Sequence, residues 1–374
     1  MAKIITVYIN SPRAIDQEAA AWVPSDMSYI RWFKISEALA RLGHHVDMAL
    51  PDDTLAWPVD SALLRGTSVG FIELSSVNWR AYDVVKTLFH DGMATLARYG
   101  GIDHPFIISK LGSVVGPCDM AGIYFHGEVR ARLFALQEKI HRTSKYVTVL
   151  SQAAEQLFLD CHGPRGNLLL VPGGVDREIP SASEDPYPAG SWGRCIFAGH
   201  IYTKHSQPEA NRALCAKLNK LGKLLDGRGV RLLMIGSGDV SALDERYVCY
   251  LGVVPYTKTW NYLQFADVGL VVSAGKFMHN NESSKIYHYL RCGLPVVTES
   301  GFPNDYLVKE TELGYVTESE DLPLMAKKIA NAVGRTWNSE RAMAYILARH
   351  TWDQRVKTYE KIIQRELDAA PSSC

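Results

Sequence analysis

The segment from 279 to 297, HNNESSKIYHYLRCGLPVV, carries the residues of this chain that are best suited to bind an anion. Ser283 and Ser284 stand where a short helix should begin, and Gly293 stands where it should end. Hydroxyl groups cap the N–H groups of a helix start, and the positive end of the helix dipole attracts anions. Lys285 falls in the first turn, where a cation is unfavourable unless a negative ligand offsets it. The segment predicts a phosphate or carboxylate site, with a capped helix and a solvated lysine as the alternative.

A second feature is the pair Gly236 and Gly238 in RLLMIGSGD (231 to 239), directly after an apolar run. Glycines let a backbone approach a ligand closely, because they carry no Cβ atom. Such a pair is also common in simple turns, so it supports a ligand site only in combination with other residues.

The elements that must position these residues alternate along the whole chain between short apolar runs and amphipathic segments. The spacing of Tyr29, Trp32, Phe33 and the apolar residues after them predicts a helix over 27 to 42, with Asp26 as its cap and Gly43 as its end. Alternation of strands and helices is typical of parallel βαβ units. The strands predicted for the first half are 4 to 9, the HHVDMAL run, 82 to 89, 105 to 111, 146 to 151 and 167 to 172.

The domain boundary is predicted at the segment from 179 to 193, which is rich in Pro, Ser and Gly and has no periodicity. We expect an N-terminal Rossmann-like domain over 1 to 178 and a second one over 194 to 345. A C-terminal helix and tail, 346 to 374, should pack back on the first domain, and Thr351 with Gln354 predicts a capping box. Ligands of such open sheets bind at the carboxyl ends of the strands, in this case in a cleft between the two domains.

Composition narrows the class of protein. The chain has 374 residues, and its 40 basic and 40 acidic side chains give no basic excess of the kind that nucleic-acid-binding proteins carry. The apolar share of 47% is typical of a globular protein. Seven cysteines lie singly, without the spacing of a zinc site or a disulfide framework, which predicts a reduced, cytoplasmic protein. The N-terminal apolar run is a strand rather than a signal peptide, and we expect at most peripheral membrane contact.

The run S-K-I-Y-x-Y-L-x-x-G-L-P-V-V (284 to 297) resembles the donor-binding segment of family-4-like glycosyltransferases, the glycosyl transferases group 1. Further pieces resemble motifs of that family in the same order and cover most of the chain. They are VPGGVD (171 to 176), FAGHIYTKHS (197 to 206), RLLMIGSGD (231 to 239), VCYLGVVPY (248 to 256) and WNYLQFADVGLVVS (260 to 273). The resemblance implies an α/β protein of the GT-B fold, with two doubly wound Rossmann-like domains facing across a cleft.

The chain departs from the family pattern at several positions. The usual pair of glutamates falls on Asn280 and His288, and the usual arginine near Gly199 is replaced by His200, with Lys204 as the nearest cation. The S-S-K run also resembles a bacterial polysaccharide glucuronosyltransferase. This likeness implies an acidic donor sugar, such as glucuronic acid.

The resemblance implies that the second domain binds a nucleotide-diphosphate sugar, with UDP favoured, and that no metal or other cofactor is needed. Lys204, Lys285 and the helix N-terminus would stabilise the charge on the leaving diphosphate. Glu282 would orient sugar hydroxyls, although an acid in a first helical turn is favourable without any ligand. The donor-binding residues carried over are His200, Lys204, Gly236, Asn281, Glu282, Ser283, Ser284, Lys285 and His288.

The first domain is expected to bind the acceptor, which is a saccharide, a lipid-linked intermediate or a small molecule with a hydroxyl group. If the reaction inverts the anomeric centre, Asp119 is the first candidate for a general base and Asp91, beside His90, is the second. The alternative for Asp119 is a loop aspartate that caps a turn. A retaining enzyme needs no protein base, because the leaving phosphate can take the proton.

Other functions of the same architecture stay open. A phosphorylase would need pyridoxal phosphate on a lysine, for which no motif is visible, and a nucleotide-sugar epimerase would act without an acceptor. Loss of both family glutamates also allows a noncatalytic nucleotide-sugar-binding or scaffold protein.

Overall fold

The computed structural model describes residues 1–7, 27–50, 52, 68–116, 127–205, 207–275 and 279–369. These residues form two compact units. Unit 1 contains the described residues up to 116, those from 127 to 174 and those from 352 onward, and unit 2 contains those from 175 to 351.

Unit 1 is built on a seven-stranded sheet in which the paired strands run parallel. The strands are β1 (Lys3–Val7), β2 (His45–Leu50), β3 (Gly70–Glu73), β4 (Val84–Leu88), β5 (Ile107–Lys110), β6 (Tyr146–Val149) and β7 (Leu168–Leu170), in the order β3-β2-β1-β4-β5-β6-β7. The helices are α1 (Met27–Arg41), α2 (Phe89–Arg98), α3 (Gly127–Thr143), α4 (Gln152–His162) and α11 (Trp352–Ala369), with 3-10 helices at Leu74–Ser76 and Trp79–Ala81.

Both faces of this sheet are buried, which explains why its strands read as continuous apolar runs. Ile4 and Ile5 are adjacent in β1, so their side chains enter different cores. The core around Ile4 is closed by α1 and α11, and the core around Ile5 is closed by α2, α3 and α4. The last helix of the chain therefore completes the first unit.

Unit 2 is built on a six-stranded parallel sheet. The strands are β8 (Gly193–Ala198), β9 (Val230–Ile235), β10 (Val248–Tyr250), β11 (Val268–Val271), β12 (Val296–Glu299) and β13 (Gly314–Thr317), in the order β10-β9-β8-β11-β12-β13. The helices are α5 (Pro208–Asp226), α6 (Tyr256–Gln264), α7 (Ser284–Arg291), α8 (Tyr306–Thr311), α9 (Leu322–Val333) and α10 (Ser339–Arg349).

Helix α7 is seated directly on the unit 2 sheet by Tyr289. A Cβ atom added to Gly269 of β11 would lie 2.2 Å from the Tyr289 ring, so this glycine makes room for the tyrosine. The Tyr289 hydroxyl accepts a hydrogen bond from the backbone N–H of Ala198, at the end of β8, with a distance of 2.9 Å. This contact fixes where the N-terminus of α7 lies relative to the end of β8.

Several expectations from the sequence are confirmed, and one is wrong. Helix α1 covers Met27–Arg41, and Gly43 follows with a φ of +93°, as expected of a helix end. The parallel βαβ organisation is present in both units. The predicted capping box is wrong, because the Thr351 hydroxyl makes no hydrogen bond within the described part of the chain. Thr351 instead forms a parallel bridge with Val175 and is completely buried.

A lysine is buried in the core that α1 and α11 close. Lys86 of β4 is 4% exposed, and its ammonium lies 4.6 Å from the centre of the Tyr359 ring of α11. Burial lowers the pKa of Lys86 from its ordinary 10.5 to about 7, because an apolar core disfavours the charged amine. The lysine therefore lowers the stability of unit 1 most when it is protonated.

Lys86→Met should stabilise the protein, by about 1–3 kcal/mol near neutral pH, since it removes an amine that is costly to bury. Between about pH 7 and pH 10.5 the unfolded chain binds more protons than the folded one, so wild-type stability rises with pH in that range. The advantage of the variant should shrink accordingly as the pH approaches 10.5. Urea unfolding at several pH values measures both effects.

Lys328→Met is the matched control, because the Lys328 ammonium also lies 4.6 Å from a ring centre, that of Tyr315, but on a less buried helix face. It should show no comparable dependence on pH. A Lys86→Met protein that is less stable than the wild type at every pH would contradict the interpretation.

Candidate functional site

The N-terminus of α7 is the centre of the candidate site. The helix begins as predicted, with Ser283 at the N-cap position and Ser284 as the first helical residue. The Ser283 hydroxyl does not make the expected cap bond. It makes no hydrogen bond within the described part of the chain, although the residue is only 7% exposed. A buried hydroxyl without a partner is costly, and it is placed beside the N–H groups that make a helix start attractive to anions.

Lys285 lies against the end of β8. A Cβ atom on Gly199 would be 2.7 Å from Cε of Lys285, and the ammonium is 5.1 Å from the centre of the Phe197 ring. Partial burial and the positive charge of Lys285 lower the pKa of His200. The imidazole of His200 also hydrogen-bonds the Ser237 hydroxyl at 3.0 Å. The helix start therefore lies next to the loop that follows β8.

The loop after β9 packs on the loop after β8 through the two predicted glycines. A Cβ atom on Gly236 would lie 1.9 Å from the carbonyl oxygen of Gly199, and one on Gly238 would lie 1.8 Å from that of Ile201. Both glycines also have positive φ angles, +133° and +117°. The sequence suggested that they let the backbone approach a ligand. Their observed role is to let two loops of the protein approach each other.

Asn211 of α5, which the sequence analysis missed, holds the same two loops together. It is completely buried, and its Nδ2 donates to the carbonyl oxygens of Tyr202 at 2.6 Å and Asp239 at 2.8 Å. The only indication in the sequence is a polar residue on the apolar face of the predicted helix.

Lys204 lies in the loop between β8 and α5. Its ammonium donates to the Ser241 hydroxyl at 2.5 Å and is 3.9 Å from the Asp239 carboxylate, and the side chain is half exposed. The Asp239 carboxylate therefore already offsets part of the positive charge of Lys204.

His288 is buried within α7 rather than exposed at its start. Its ring stacks on Trp260 with 5.0 Å between centroids, and Nδ1 is 2.6 Å from the carbonyl oxygen of Ser284. A carbonyl only accepts, so Nδ1 carries a proton, and Nε2 is an acceptor when the ring is neutral. Glu282 accepts a hydrogen bond from the Tyr287 hydroxyl at 2.7 Å. Asn281 precedes it in the same loop and is partly buried.

A buried carboxylate supports the loop that leads to α7, and it too was missed. Glu299, at the end of β12, accepts from the backbone N–H of Ser273 at 2.9 Å, from Lys217 at 2.9 Å and from His279 at 3.3 Å. Burial alone would raise the pKa of Glu299, but the hydrogen bond from His279, the charge of Lys217 and the Ser273 hydroxyl hold that pKa below its ordinary value. The carboxylate therefore joins three elements of unit 2 at the carboxyl ends of the strands.

The candidate bases belong to other parts of the chain. Asp91 lies in the first turn of α2 in unit 1, is exposed, and pairs with Arg132 at 3.4 Å. His90 beside it is buried, donates from Nε2 to Gln137 at 2.8 Å, and has a pKa that burial lowers. Asp119, the first candidate, lies outside the described residues. The structure thus brings His200, Gly236, Ser283 and Lys285 together in unit 2, and it adds no support for either base.

The described residues contain neither a cluster of metal ligands nor a membrane-spanning helix. No three His, Cys, Asp or Glu side chains among them are arranged to hold a metal ion. No helix in the same residues is both long and apolar enough to cross a membrane.

Comparison with known proteins identifies the fold. Residues 219–336 match the family described as Glucosyltransferase 3-like, C-terminal domain. The structure of sucrose-phosphate synthase from Thermosynechococcus elongatus superposes with a TM-score of 0.71 at 15% identity, over 99% of this chain and 100% of that one. HepE from Anabaena, in complex with UDP and glucose, gives 0.64 at 13% identity over 98% and 100% of the two chains.

A further similar structure is AviGT4, a glycosyltransferase of avilamycin A biosynthesis, with a TM-score of 0.62 at 15% identity over 99% of each chain. No curated protein matches the chain in sequence. The chain has the GT-B fold of glycosyltransferases, and the resemblance inferred from its motifs is confirmed at that level. Identities this low establish the fold alone.

Gly236→Ala should lower the free energy of unfolding by about 2–4 kcal/mol, because the added methyl would overlap the Gly199 carbonyl and strain a positive φ. Gly334→Ala is the control, since Gly334 has a φ of −86° and open space where the methyl would be. Chemical denaturation of both variants measures the difference. Equal stabilities would show that the two loops are not in contact.

Proposed function

We propose that this protein is a glycosyltransferase that moves a sugar from a nucleoside diphosphate donor to a hydroxyl group of an acceptor. One observation carries the proposal. The Ser283 hydroxyl is buried, makes no hydrogen bond within the described residues, and lies at the N-cap position of α7 next to Lys285. A diphosphate would accept from this hydroxyl and from the N–H groups of the first turn, and would offset the charge of Lys285.

The same groups suit the chemistry of sugar transfer. Cleavage of the bond between the anomeric carbon and the diphosphate leaves negative charge on the departing phosphate. Preorganised donors at that position stabilise the charge without having to reorganise during the reaction. Lys285 and the first turn of α7 are held in place by Tyr289, so they meet this requirement.

The nucleotide and sugar would be held by the rest of the loop cluster. Nε2 of His288 is an acceptor suited to a ribose hydroxyl, and Glu282 and Asn281 would accept from sugar hydroxyls. The UDP bound in the HepE structure supports UDP as the nucleotide. Ser284, Lys204 and His200 complete the proposed set of donor contacts.

An acidic sugar, such as glucuronic acid, is the donor that we propose. The charge of Lys285 acts on His200, and Lys204 belongs to the same loop as His200, so a sugar carboxylate bound near this loop would find positive charge. The acceptor would be a saccharide, a lipid-linked intermediate or a small molecule, bound by unit 1. Transfer would take place in the cytoplasm and would need no metal ion.

If the reaction inverts the anomeric centre, we propose Asp119 as the base before Asp91. The Asp91 carboxylate already pairs with Arg132 at 3.4 Å, so it is less available to an acceptor hydroxyl. A retaining reaction would instead return the proton to the leaving phosphate.

Thermal unfolding with UDP, GDP, UDP-glucose and UDP-glucuronic acid tests the donor. A ligand at about 100 times its dissociation constant adds about 2.7 kcal/mol to the stability of the folded state. We expect stabilisation by UDP, more by a UDP-sugar, and most by the acidic one. Equal shifts with UDP-glucose and UDP-glucuronic acid would refute the acidic donor, and no shift with any nucleotide would refute the proposed function.

Ser283→Ala should weaken UDP binding about five- to tenfold and leave stability nearly unchanged, because the lost hydroxyl bonds nothing in the described residues. Thr351→Val is the matched control, as it removes another buried hydroxyl that makes no hydrogen bond there. Isothermal calorimetry with UDP compares the two. If both variants bind UDP as the wild type does, Ser283 does not contact the diphosphate.

Lys285→Gln should lower donor affinity and turnover at least tenfold, since a neutral amide cannot offset the diphosphate charge. The fold should be retained, because the lysine packs mainly through its methylene groups. Steady-state kinetics measure the loss of affinity and turnover, and a melting curve on the same sample shows whether the fold is retained. Unchanged kinetics would rule out an anion site at α7.

A noncatalytic nucleotide-sugar-binding protein is the second candidate, favoured by Asn280 and His288 at the positions of the family glutamates. Release of free UDP from a UDP-sugar distinguishes the two, because a protein that only binds the donor leaves it intact.

A further inference from the structure

Asn304 lies in the segment between β12 and α8 and contacts the candidate anion site from within the protein. The residue is completely buried. Its Oδ1 accepts from the backbone N–H of Ser283 at 2.9 Å, and its Nδ2 donates to the carbonyl oxygen of the same residue, also at 2.9 Å. Both backbone groups of the N-cap residue are therefore bound by one side chain.

This pair of bonds fixes the amide orientation, because the oxygen of Asn304 must face the N–H group and the nitrogen must face the carbonyl. The carbonyl of Ser283 also accepts from the N–H group of Ile286, at 3.3 Å, in the first turn of α7. Asn304 thus shares the acceptor that closes this turn. The position of the Ser283 hydroxyl follows from the backbone that Asn304 holds.

The other end of the same loop is held by β12. His279 bonds Glu299 through Nε2, and its ring lies so close to Gly301 that a Cβ atom there would be 2.5 Å from Nδ1. The backbone N–H of Gly301 in turn donates to the Asp305 carboxylate at 2.9 Å. The segment from 299 to 305 supports the loop at two points, and only Asn304 acts on the N-cap itself.

We propose that Asn304 is a positioning residue that sets the geometry of the Ser283 N-cap for the diphosphate of the donor. This inference rests on the proposed function. Asn304 does not touch the ligand. It holds the N-terminus of α7 in the conformation that directs the Ser283 hydroxyl and the N–H groups of the first turn toward the phosphate oxygens.

Asn304→Asp is the informative variant because it has the same shape. One carboxylate oxygen can still accept from Ser283 N–H, but the other faces the Ser283 carbonyl and repels it. A protonated carboxyl would donate to that carbonyl and restore the native pattern, and burial favours this neutral form. UDP affinity of the variant should therefore be at least about tenfold below wild type near pH 8 and should recover toward wild type near pH 5.5.

The wild type must be titrated over the same range, because Glu299, His279 and Asp305 are titratable groups of the same segment and Lys285 belongs to the site. The change of wild-type UDP affinity with pH is then subtracted from that of the variant. Asn304→Ser provides a variant that cannot titrate, and it should bind UDP weakly at both pH values. Recovery at low pH is an outcome that a merely structural role for Asn304 would not produce.

Asn219→Asp is the matched control. Asn219 makes a similar pair of bonds, but to two residues of a different loop, since Nδ2 donates to the Ala242 carbonyl at 2.9 Å and Oδ1 accepts from Asp244 N–H at 2.8 Å. It should lose stability to a similar degree and keep wild-type UDP affinity.

Hydrogen exchange of the ligand-free proteins separates failure of this inference from failure of the proposed function. Asn304→Asp should speed exchange in the peptide that covers 279 to 290 at neutral pH, and Asn219→Asp should not. If exchange there is faster but no nucleotide binds the wild type, Asn304 holds the N-cap, and it is the proposed function, with its diphosphate ligand, that is refuted. Unchanged exchange, or UDP affinity equal to wild type at both pH values, overturns the inference.

Discussion

The contact between Gly236 and Gly199 determines how the rest of the candidate site is arranged. Any side chain at Gly236 would overlap the carbonyl oxygen of Gly199, so the loops after β8 and β9 can meet only as bare backbone. With the two loops in backbone contact, the Lys285 side chain packs on Gly199 and His200 hydrogen-bonds Ser237. Asn211 then bonds both loops from the buried side. The site is therefore set by backbone packing first and by charged side chains second.

The buried polar groups around α7 show how a loop-built site becomes rigid. Asn211, Asn304 and Glu299 each bond backbone or side-chain groups of different segments, and all three are completely buried. A satisfied polar network inside a protein is strong because the alternative, an unpaired group, is expensive. The Ser283 hydroxyl, like Oδ1 of Asn211 and the hydroxyl of Thr351, is a buried polar atom that makes no hydrogen bond within the described residues, and among these three it alone lies at the start of α7. The N-terminus of α7 is therefore surrounded by buried polar contacts between segments that are distant in the sequence.

Much of this architecture could be predicted from local patterns in the sequence. Apolar runs located the strands, and Ser283 and Gly293 bounded a helix that the structure has. The partners of Asn304, Asn211 and Glu299 could not be predicted, because each is separated from them by stretches of chain that only the fold brings together. Lys86 illustrates the same limit, since nothing in YDVVKTLF distinguishes a solvated lysine from one packed under Tyr359. The capping box predicted at Thr351 is wrong because the backbone bridge between Thr351 and Val175, a tertiary contact, outweighs the local capping preference.

The discontinuity of unit 1 has a consequence for its synthesis. The core around Ile4 is completed by α11, whose Trp352, Val356 and Tyr359 are synthesised only after the whole of unit 2. Until they emerge, the part of this sheet face that α11 covers is exposed to water, whereas unit 2 already has its own core. Unit 1 therefore begins to be translated before unit 2 and is completed after it. Nascent chains that stall before α11 should be the aggregation-prone species and the natural clients of chaperones.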